Sequence, residues 1–219
     1  MKKLKRLVSV LLILFLMFVG TSYYVIEQTD DRYNIRENLP AQVAAEVDNY
    51  VPYDQIPQDL INAVVAVEDQ RFFSHFGFDV FGLGRALLNN IKKGSIEQGG
   101  STISQQLVKN LFLSRQQTLE RKVKEFFLTI ELEKNYSKEE ILEMYLNYAY
   151  FGAGAYGIAE ASEKFFGKDV GDLNIDECAM LAGVIKGPSI YNPVEHPDKA
   201  LQRQKIALKL MEEEGYLKE

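Results

Sequence analysis

Apolar residues recur at intervals of three and four along most of the chain, the spacing of helices with one buried face. The pattern is clear in IPQDLINAVVAVED (56–69), TLERKVKEFFLTIELEKNY (118–136) and PDKALQRQKIALKLMEEEGY (197–216). In SKEEILEMYLNYAYFG (137–152), Ser137 precedes Glu140 by three residues, which is a capping-box signature. DECAMLAGVIKGPSIYNP (176–193) has the composition of a buried helix that ends at Gly187-Pro188. Strand patterns are few, so the sequence predicts a mainly α domain.

The N-terminus has the pattern of a membrane anchor. Leu7 to Ile26 is a 20-residue stretch without a charged side chain, and four basic residues precede it. That length spans a bilayer core as a helix, and the preceding charges favour a cytoplasmic N-terminus. A cleaved signal peptide is the alternative. The predicted division is a cytoplasmic tail (1–6), a transmembrane anchor (7–26), a stalk or linker (27–50) and a domain (51–219).

Composition and charge narrow the possible partners. Hydrophobic residues make up 47% of the 219-residue chain, enough for a real core. Without residues 1–26 the chain keeps 21 basic and 31 acidic residues, a balance that argues against nucleic acid as a partner. An anionic ligand would need a local basic cluster. The single cysteine and two histidines make a structural zinc site improbable.

Glu68 and Asp69 follow an apolar run and precede the aromatic segment RFFSHFG. Burial and a neighbouring like charge both disfavour ionisation of a carboxyl group. These are the conditions under which a carboxylate can work as a general base near neutral pH. The competing interpretation is an ordinary helix end whose acids pair with Arg71 or cap a neighbour.

GGSTISQQLVKN (99–110) predicts a glycine-rich turn that opens a helix, with Ser101 or Thr102 as the cap. Such a helix start can bind an anion through its free N–H groups. Gln105 and Lys109 share a face of this helix. A flexible loop before an ordinary capped helix is the alternative.

Two further segments have charged residues whose positions suggest ligand or membrane binding. RKVKE (121–125) places Arg121 and Lys122 one helical turn before Glu125, which for an isolated helix would be a surface salt bridge. FDVFGLGRALLNNIKKG (78–94) interleaves apolar and basic residues. In a protein tethered to a bilayer this segment suits a surface that enters the lipid headgroups, although a core helix fits about equally well.

Taken in order, these segments resemble the peptidoglycan glycosyltransferase family, whose members polymerise lipid II alone or as the first catalytic domain of class A penicillin-binding proteins. The resemblance rests on EDQRFFSHFG, GGSTISQQ, RKVKE, EEILEMYLNYAYFGAGAYGIAEASEKFFGK and a terminal helix with Arg203. It implies a lysozyme-like, two-lobed α fold on the extracytoplasmic face of a bacterial cell membrane. The implied partners are lipid II, undecaprenyl-diphosphate-linked glycan, the bilayer and other cell-wall synthesis proteins.

The resemblance also implies roles for single residues. Glu68 corresponds to the family's catalytic base and Glu125 to its second essential acid, while Asp69 is expected to shape the loop. No cofactor is required, and a divalent cation such as Mg²⁺ or Mn²⁺ beside Glu125 is left open. The implied substrate-binding residues are Ser101, Gln105, Gln106, Lys109, Arg121, Lys122, Asn147, Tyr150 and Arg203.

The sequence departs from the family at two points. The terminal motif, often Arg-Arg, is Arg203-Gln204 here, and it is open whether Arg115 supplies the basic residue usual before RKVKE. Two other functions compete with polymerisation. One is a glycan-cleaving enzyme of the lysozyme type, and the other is a non-catalytic scaffold that binds lipid II.

Overall fold

A computed structural model describes residues 33–82, 84, 100–114, 116 and 118–217, together with the isolated positions 9, 12, 13, 17, 20 and 24. Within these ranges the chain is mainly helical, as the apolar spacing predicts. The α-helices are α1 (Leu39–Glu46), α2 (Gln58–Glu68), α3 (Ile103–Phe112), α4 (Leu119–Asn135), α5 (Lys138–Tyr148), α6 (Gly157–Phe166), α7 (Ile175–Ile185), α8 (Pro188–Tyr191) and α9 (Pro197–Glu213). Strands β1 (Tyr150–Gly152) and β2 (Ala155–Tyr156) form a short antiparallel hairpin.

The described helices pack in two groups. In one group α7 packs against both α2 and α9, and every residue of α7 from Cys178 to Ile185 is buried. In the other group α3 packs against α4 and α5. The two groups meet at the end of α2 and at α3, where the Gln106 side chain donates a hydrogen bond to Glu68. This junction is where the acid pair lies.

Local signals in the sequence explain where several helices begin. The Ser137 hydroxyl accepts a hydrogen bond from the N–H of Glu140, and the Glu140 carboxylate accepts one from the N–H of Ser137. The predicted capping box is therefore formed. Asn174 and Glu177 form the same arrangement at the start of α7.

The predicted stalk differs from the structure over residues 33–50. Tyr33, Ile35, Leu39 and Val43 are buried in the hydrophobic core, and α1 packs against α5. The domain therefore includes residues from 33 onward, rather than from 51. Polar residues such as Asn34, Arg36, Glu37 and Gln42 lie between these apolar positions, which made the segment look like a polar linker. Residues 27–32 lie outside the described residues.

The membrane anchor predicted at 7–26 lies almost wholly outside the described residues. Among the residues that the structure describes, no helix has both the length and the apolar character needed to cross a bilayer. Most of the predicted headgroup-binding segment, including residues 85–94, is likewise not described.

Candidate active site

Glu68 is the last residue of α2, and its side chain is only 2% exposed. Its Oε2 accepts a hydrogen bond of 2.7 Å from Nε2 of Gln106 and lies 3.6 Å from Nζ of Lys186. Its Oε1 is buried and has no hydrogen-bond partner among the residues that the structure describes. A buried acceptor without a donor is costly in free energy, so this atom is suited to receive a donor from a ligand.

A fixed hydrogen-bond chain orients the Gln106 amide. The hydroxyl of Tyr145, on α5, donates to Oε1 of Gln106 at 3.0 Å. This contact turns Nε2 of Gln106 toward Glu68. Tyr145 is fully buried, and burial first, then the charges of Glu68 and Asp69, raise the pKa of its hydroxyl. The hydroxyl is therefore a stable donor, and Gln106 is held in one orientation.

Asp69 has a different environment from Glu68. Its carboxylate accepts hydrogen bonds from the backbone N–H of Ile103 at 3.0 Å and from Nε2 of His75 at 2.9 Å. Both of its oxygens are used, and the residue is 5% exposed. Asp69 therefore ties the loop after α2 to the first residue of α3, which agrees with a role in shaping the loop.

The start of α3 is a capping box in which Thr102, rather than Ser101, is the cap. The Thr102 hydroxyl accepts from the N–H of Gln105 and donates to the carbonyl of Gly77 at 2.7 Å. The side-chain oxygen Oε1 of Gln105 accepts from the N–H of Thr102 at 3.1 Å, which leaves Nε2 of the same side chain for another partner. Ser101 is exposed immediately before this cap.

Glu125, on α4, is 2% exposed and surrounded by donors. Nε2 of Gln105 donates to its Oε1 at 3.1 Å, and the Arg121 guanidinium donates to its Oε2 at 3.3 Å. Lys122 forms an ion pair with the same carboxylate. The buried charge is thus compensated by two cations, and α3 contacts both acids, through Gln106 to Glu68 and through Gln105 to Glu125.

A cavity of about 710 Å³ has Arg121 in its wall, while neither Glu68 nor Glu125 lines it. Four of the predicted substrate-binding residues, Lys109, Arg121, Asn147 and Tyr150, line it. Its remaining lining residues are Glu46, Val47, Asp48, Asn110, Leu113, Ser114, Tyr148, Tyr156 and Glu160. The cavity therefore has basic, acidic and aromatic groups within one space.

The two cations of the cavity are available to an anion. Lys109 is exposed, and within the described ranges it has no ion-pair partner. Arg121 binds Glu125 through one terminal nitrogen, while its Nε is buried without a hydrogen-bond partner. A guanidinium and an ammonium on one wall suit a phosphate or diphosphate group.

Asn147 and Tyr150 have structural contacts on the cavity wall. The Asn147 side chain exchanges two hydrogen bonds of 2.8 Å with the backbone of Val51 and donates a third to the carbonyl of Glu143. Both of its amide hydrogens are occupied. The Tyr150 ring packs against that of Tyr156 at 4.8 Å between centroids, which leaves an aromatic wall on the hairpin.

The structure places Arg203 and Lys186 in surroundings that the sequence did not predict. Arg203, a predicted substrate-binding residue, is not among the cavity residues; its Nε donates to the carbonyl of Gly183 at 3.4 Å and its guanidinium lies over the Tyr191 ring. Lys186, which the sequence did not single out, contacts Glu68. Arg115 lies outside the described residues. Within the described ranges, no group of His, Cys, Asp and Glu is arranged to hold a metal ion.

Comparison with known proteins places this site in a family. A family model described as Transglycosylase matches residues 36–212. The chain is 48% identical over 190 residues to penicillin-binding protein 1A of Aquifex aeolicus, covering 87% of this chain and 26% of that protein. It is 51% identical over 178 residues to penicillin-binding protein 1A/1B of Bacillus subtilis, covering 81% and 20%.

Among solved structures, penicillin-binding protein 1A from Haemophilus influenzae matches with a TM-score of 0.46 and 25% identity, over 78% of this chain and 16% of that one. The chain spans about a quarter or less of the length of these curated relatives. From the family match and the identities, the chain belongs to the transglycosylase family. The assignment drawn from its sequence motifs is thereby confirmed.

Proposed function

We propose that this chain is a peptidoglycan glycosyltransferase that polymerises lipid II into β-1,4-linked glycan and releases undecaprenyl diphosphate. Membership of the transglycosylase family supports this reaction class. The observation that carries the proposal is the Glu68 carboxylate, which has one oxygen bound by Gln106 and the other buried without a partner. A general base needs a fixed carboxylate with a free acceptor atom.

In the proposed reaction, the 4-hydroxyl of the acceptor GlcNAc attacks the anomeric carbon of the donor MurNAc. The hydroxyl proton passes to Oε1 of Glu68, the new C–O bond forms, and the bond to the diphosphate breaks with its electron pair on the leaving group. Attack from the face opposite the leaving group inverts the anomeric centre. Diphosphate leaves as an anion, so cations can take the part that a general acid plays in a glycosidase.

Lys109 and Arg121 supply the cations for this step from the cavity wall. Glu125 binds Arg121 and Lys122 and thereby fixes both head groups. Neutralisation of the diphosphate inside a partly enclosed cavity is worth more than in open water. The acids Glu46, Asp48 and Glu160, on the same cavity, are placed to accept hydrogen bonds from sugar hydroxyls.

We further propose that the domain rests on the outer face of a bacterial cell membrane. Large apolar side chains are exposed on the segment after α2, at Phe73, Phe76, Val80 and Phe81. The Phe78 ring packs 4.8 Å from that of Phe126 on α4, where Leu119 and Val123 are also exposed. An apolar surface on two adjacent elements suits contact with the lipid that carries the substrate.

Deletion of residues 1–26 tests the membrane contact. We expect the shortened protein to remain partly bound to vesicles of anionic phospholipid, because the Phe73–Phe81 surface is retained. Complete release of the shortened protein without detergent would contradict the proposal that this surface contacts lipid. Replacing Phe81 by Asp in the shortened protein should complete the release, whereas replacing Tyr156, an exposed aromatic residue on the cavity, should leave vesicle binding unchanged.

The reaction is tested by measuring whether the protein lengthens or shortens glycan chains. We expect labelled lipid II to be converted to long glycan, and preformed glycan to remain uncut. Shortening of preformed glycan would identify a lysozyme-like enzyme. Stable binding of lipid II without turnover would identify a scaffold.

A further inference from the structure

Lys186 follows the last residue of α7, and its ammonium points toward the end of α2. Nζ lies 3.6 Å from Oε2 of Glu68, and the Lys186 side chain is 32% exposed. The backbone at Lys186 is still helical, with φ −60° and ψ −26°, so α7 determines where the side chain starts. The contact joins residues 118 positions apart in the sequence.

Two features near Glu68 oppose a negative charge, and one neutral donor, Gln106, favours it. Glu68 is the last residue of α2, where the helix carbonyls present the negative end of the dipole. Asp69 adds a second carboxylate, although it is paired with His75. Gln106 from α3 contributes a neutral amide, and Tyr145 from α5 a neutral hydroxyl. Within the described part of the chain, Lys186 is the cation that contacts Glu68.

The end of α7 is rigidly placed, and Arg203 contributes to this. A side-chain carbon added at Gly183 would lie 3.0 Å from the Arg203 backbone, so α7 and α9 approach closely there. Arg203 also donates to the Gly183 carbonyl and covers the Tyr191 ring. These contacts fix the turn of α7 that precedes Lys186.

We propose that Lys186 is a positioning residue for the base: with Gln106, its ammonium fixes Oε2 of Glu68, so that Oε1 is the atom left for the acceptor hydroxyl. This inference rests on the proposed function. It predicts that removal of the ammonium shifts the pH–rate profile and leaves the affinity for lipid II nearly unchanged. A cation near a carboxylate stabilises the ionised form, so its loss makes protonation easier.

The first test is the pH–rate profile of lipid II polymerisation by the full chain in membranes or detergent. In the Lys186→Met variant we expect the acidic limb to move to higher pH, with a several-fold lower rate at neutral pH. The Lys186→Arg variant should restore the wild-type limb. Lys209→Met removes a surface lysine that pairs with Glu213 at 3.7 Å, and serves as the matched control without a shift.

A second test restores the charge chemically. Treating the Lys186→Cys variant with 2-bromoethylamine replaces the lost ammonium, while iodoacetamide adds a neutral group. The native Cys178 is buried, and burial raises the pKa of its thiol to about 12, so it stays unmodified at pH 8. We expect bromoethylamine to return the acidic limb to its wild-type position and iodoacetamide to leave it shifted.

The outcomes separate this inference from the proposed function. Failure of the wild-type protein to polymerise lipid II would overturn the function. A wild-type protein that polymerises, together with an unshifted limb in folded Lys186→Met, would overturn the role of Lys186 alone. Loss of all activity that bromoethylamine does not restore would also overturn it, since the ammonium would then not be the group that matters.

Discussion

Gln106 offers a quantitative test of how the base is held. Replacing Gln106 by Met keeps the length of the side chain and removes the donor that lies 2.7 Å from Oε2 of Glu68. A hydrogen bond to a charged group contributes about 1.5–3 kcal/mol. If that energy orients the base in the transition state, the polymerisation rate should fall about 10- to 100-fold, because about 1.4 kcal/mol corresponds to a factor of ten.

The same change has a separate effect on stability. Without Gln106 the fully buried Tyr145 hydroxyl loses its acceptor, which should lower the free energy of unfolding by about 1–3 kcal/mol. Adding Tyr145→Phe removes the orphaned hydroxyl. The double variant should therefore recover stability relative to Gln106→Met, but not activity.

Thermal unfolding and polymerisation rate, measured on the two single variants and the double variant, separate these effects. Gln58→Ala is the matched control, because Gln58 is an exposed glutamine on α2 that bonds only Asn62. A Gln106→Met variant with a rate within twofold of wild type would refute the reasoning. So would a double variant that regains activity along with stability.

Two further changes test the cavity and the chain path around it. Lys109→Ala should weaken retention of a moenomycin-type phosphoglycolipid at least tenfold, because it removes a cation that has no ion-pair partner among the described residues. Lys124→Ala, which breaks a surface pair with Glu120, should leave retention unchanged. Equal affinities of the two variants would show that Lys109 does not bind the phosphoglycolipid. Gly157→Ala should lower the free energy of unfolding by about 2 kcal/mol, because Gly157 has φ +78° and an added carbon would lie 2.5 Å from the Asn147 carbonyl. Gly171→Ala, at an open position, should change it by less than about 0.5 kcal/mol in a denaturant titration, and similar losses from both changes would contradict the close approach.

Signals that act over a few residues were readable from the sequence. The Ser137 capping box, the buried α7 and the helix after the glycine pair all form where the pattern predicts. Each depends on hydrogen bonds or on side-chain periodicity within one or two helical turns. The family motifs added a prediction that Glu68, Glu125 and nearby cations belong to one site, and this stays a prediction.

Contacts between distant residues were not readable in this way. Tyr145 and Gln106 are 39 positions apart, and nothing in a buried helix distinguishes a tyrosine that orients an amide from one that fills the core. Lys186 stands at a helix end, where a lysine is ordinary. The sequence also could not assign Gln105 and Gln106 to different acids, because that depends on how α3 lies between α2 and α4. Arg203 shows the reverse, since a motif position proved to be engaged in packing at Gly183.

The most direct test of the central claim is the Glu68→Gln variant in a lipid II polymerisation assay. The amide has almost the same shape, and its oxygen can still accept the hydrogen bond from Nε2 of Gln106, so the fold should persist. We predict long glycan from the wild-type protein, none from the variant, and equal retention of a phosphoglycolipid by both. A folded variant that keeps more than a few per cent of the wild-type rate would contradict the assignment of Glu68 as the base.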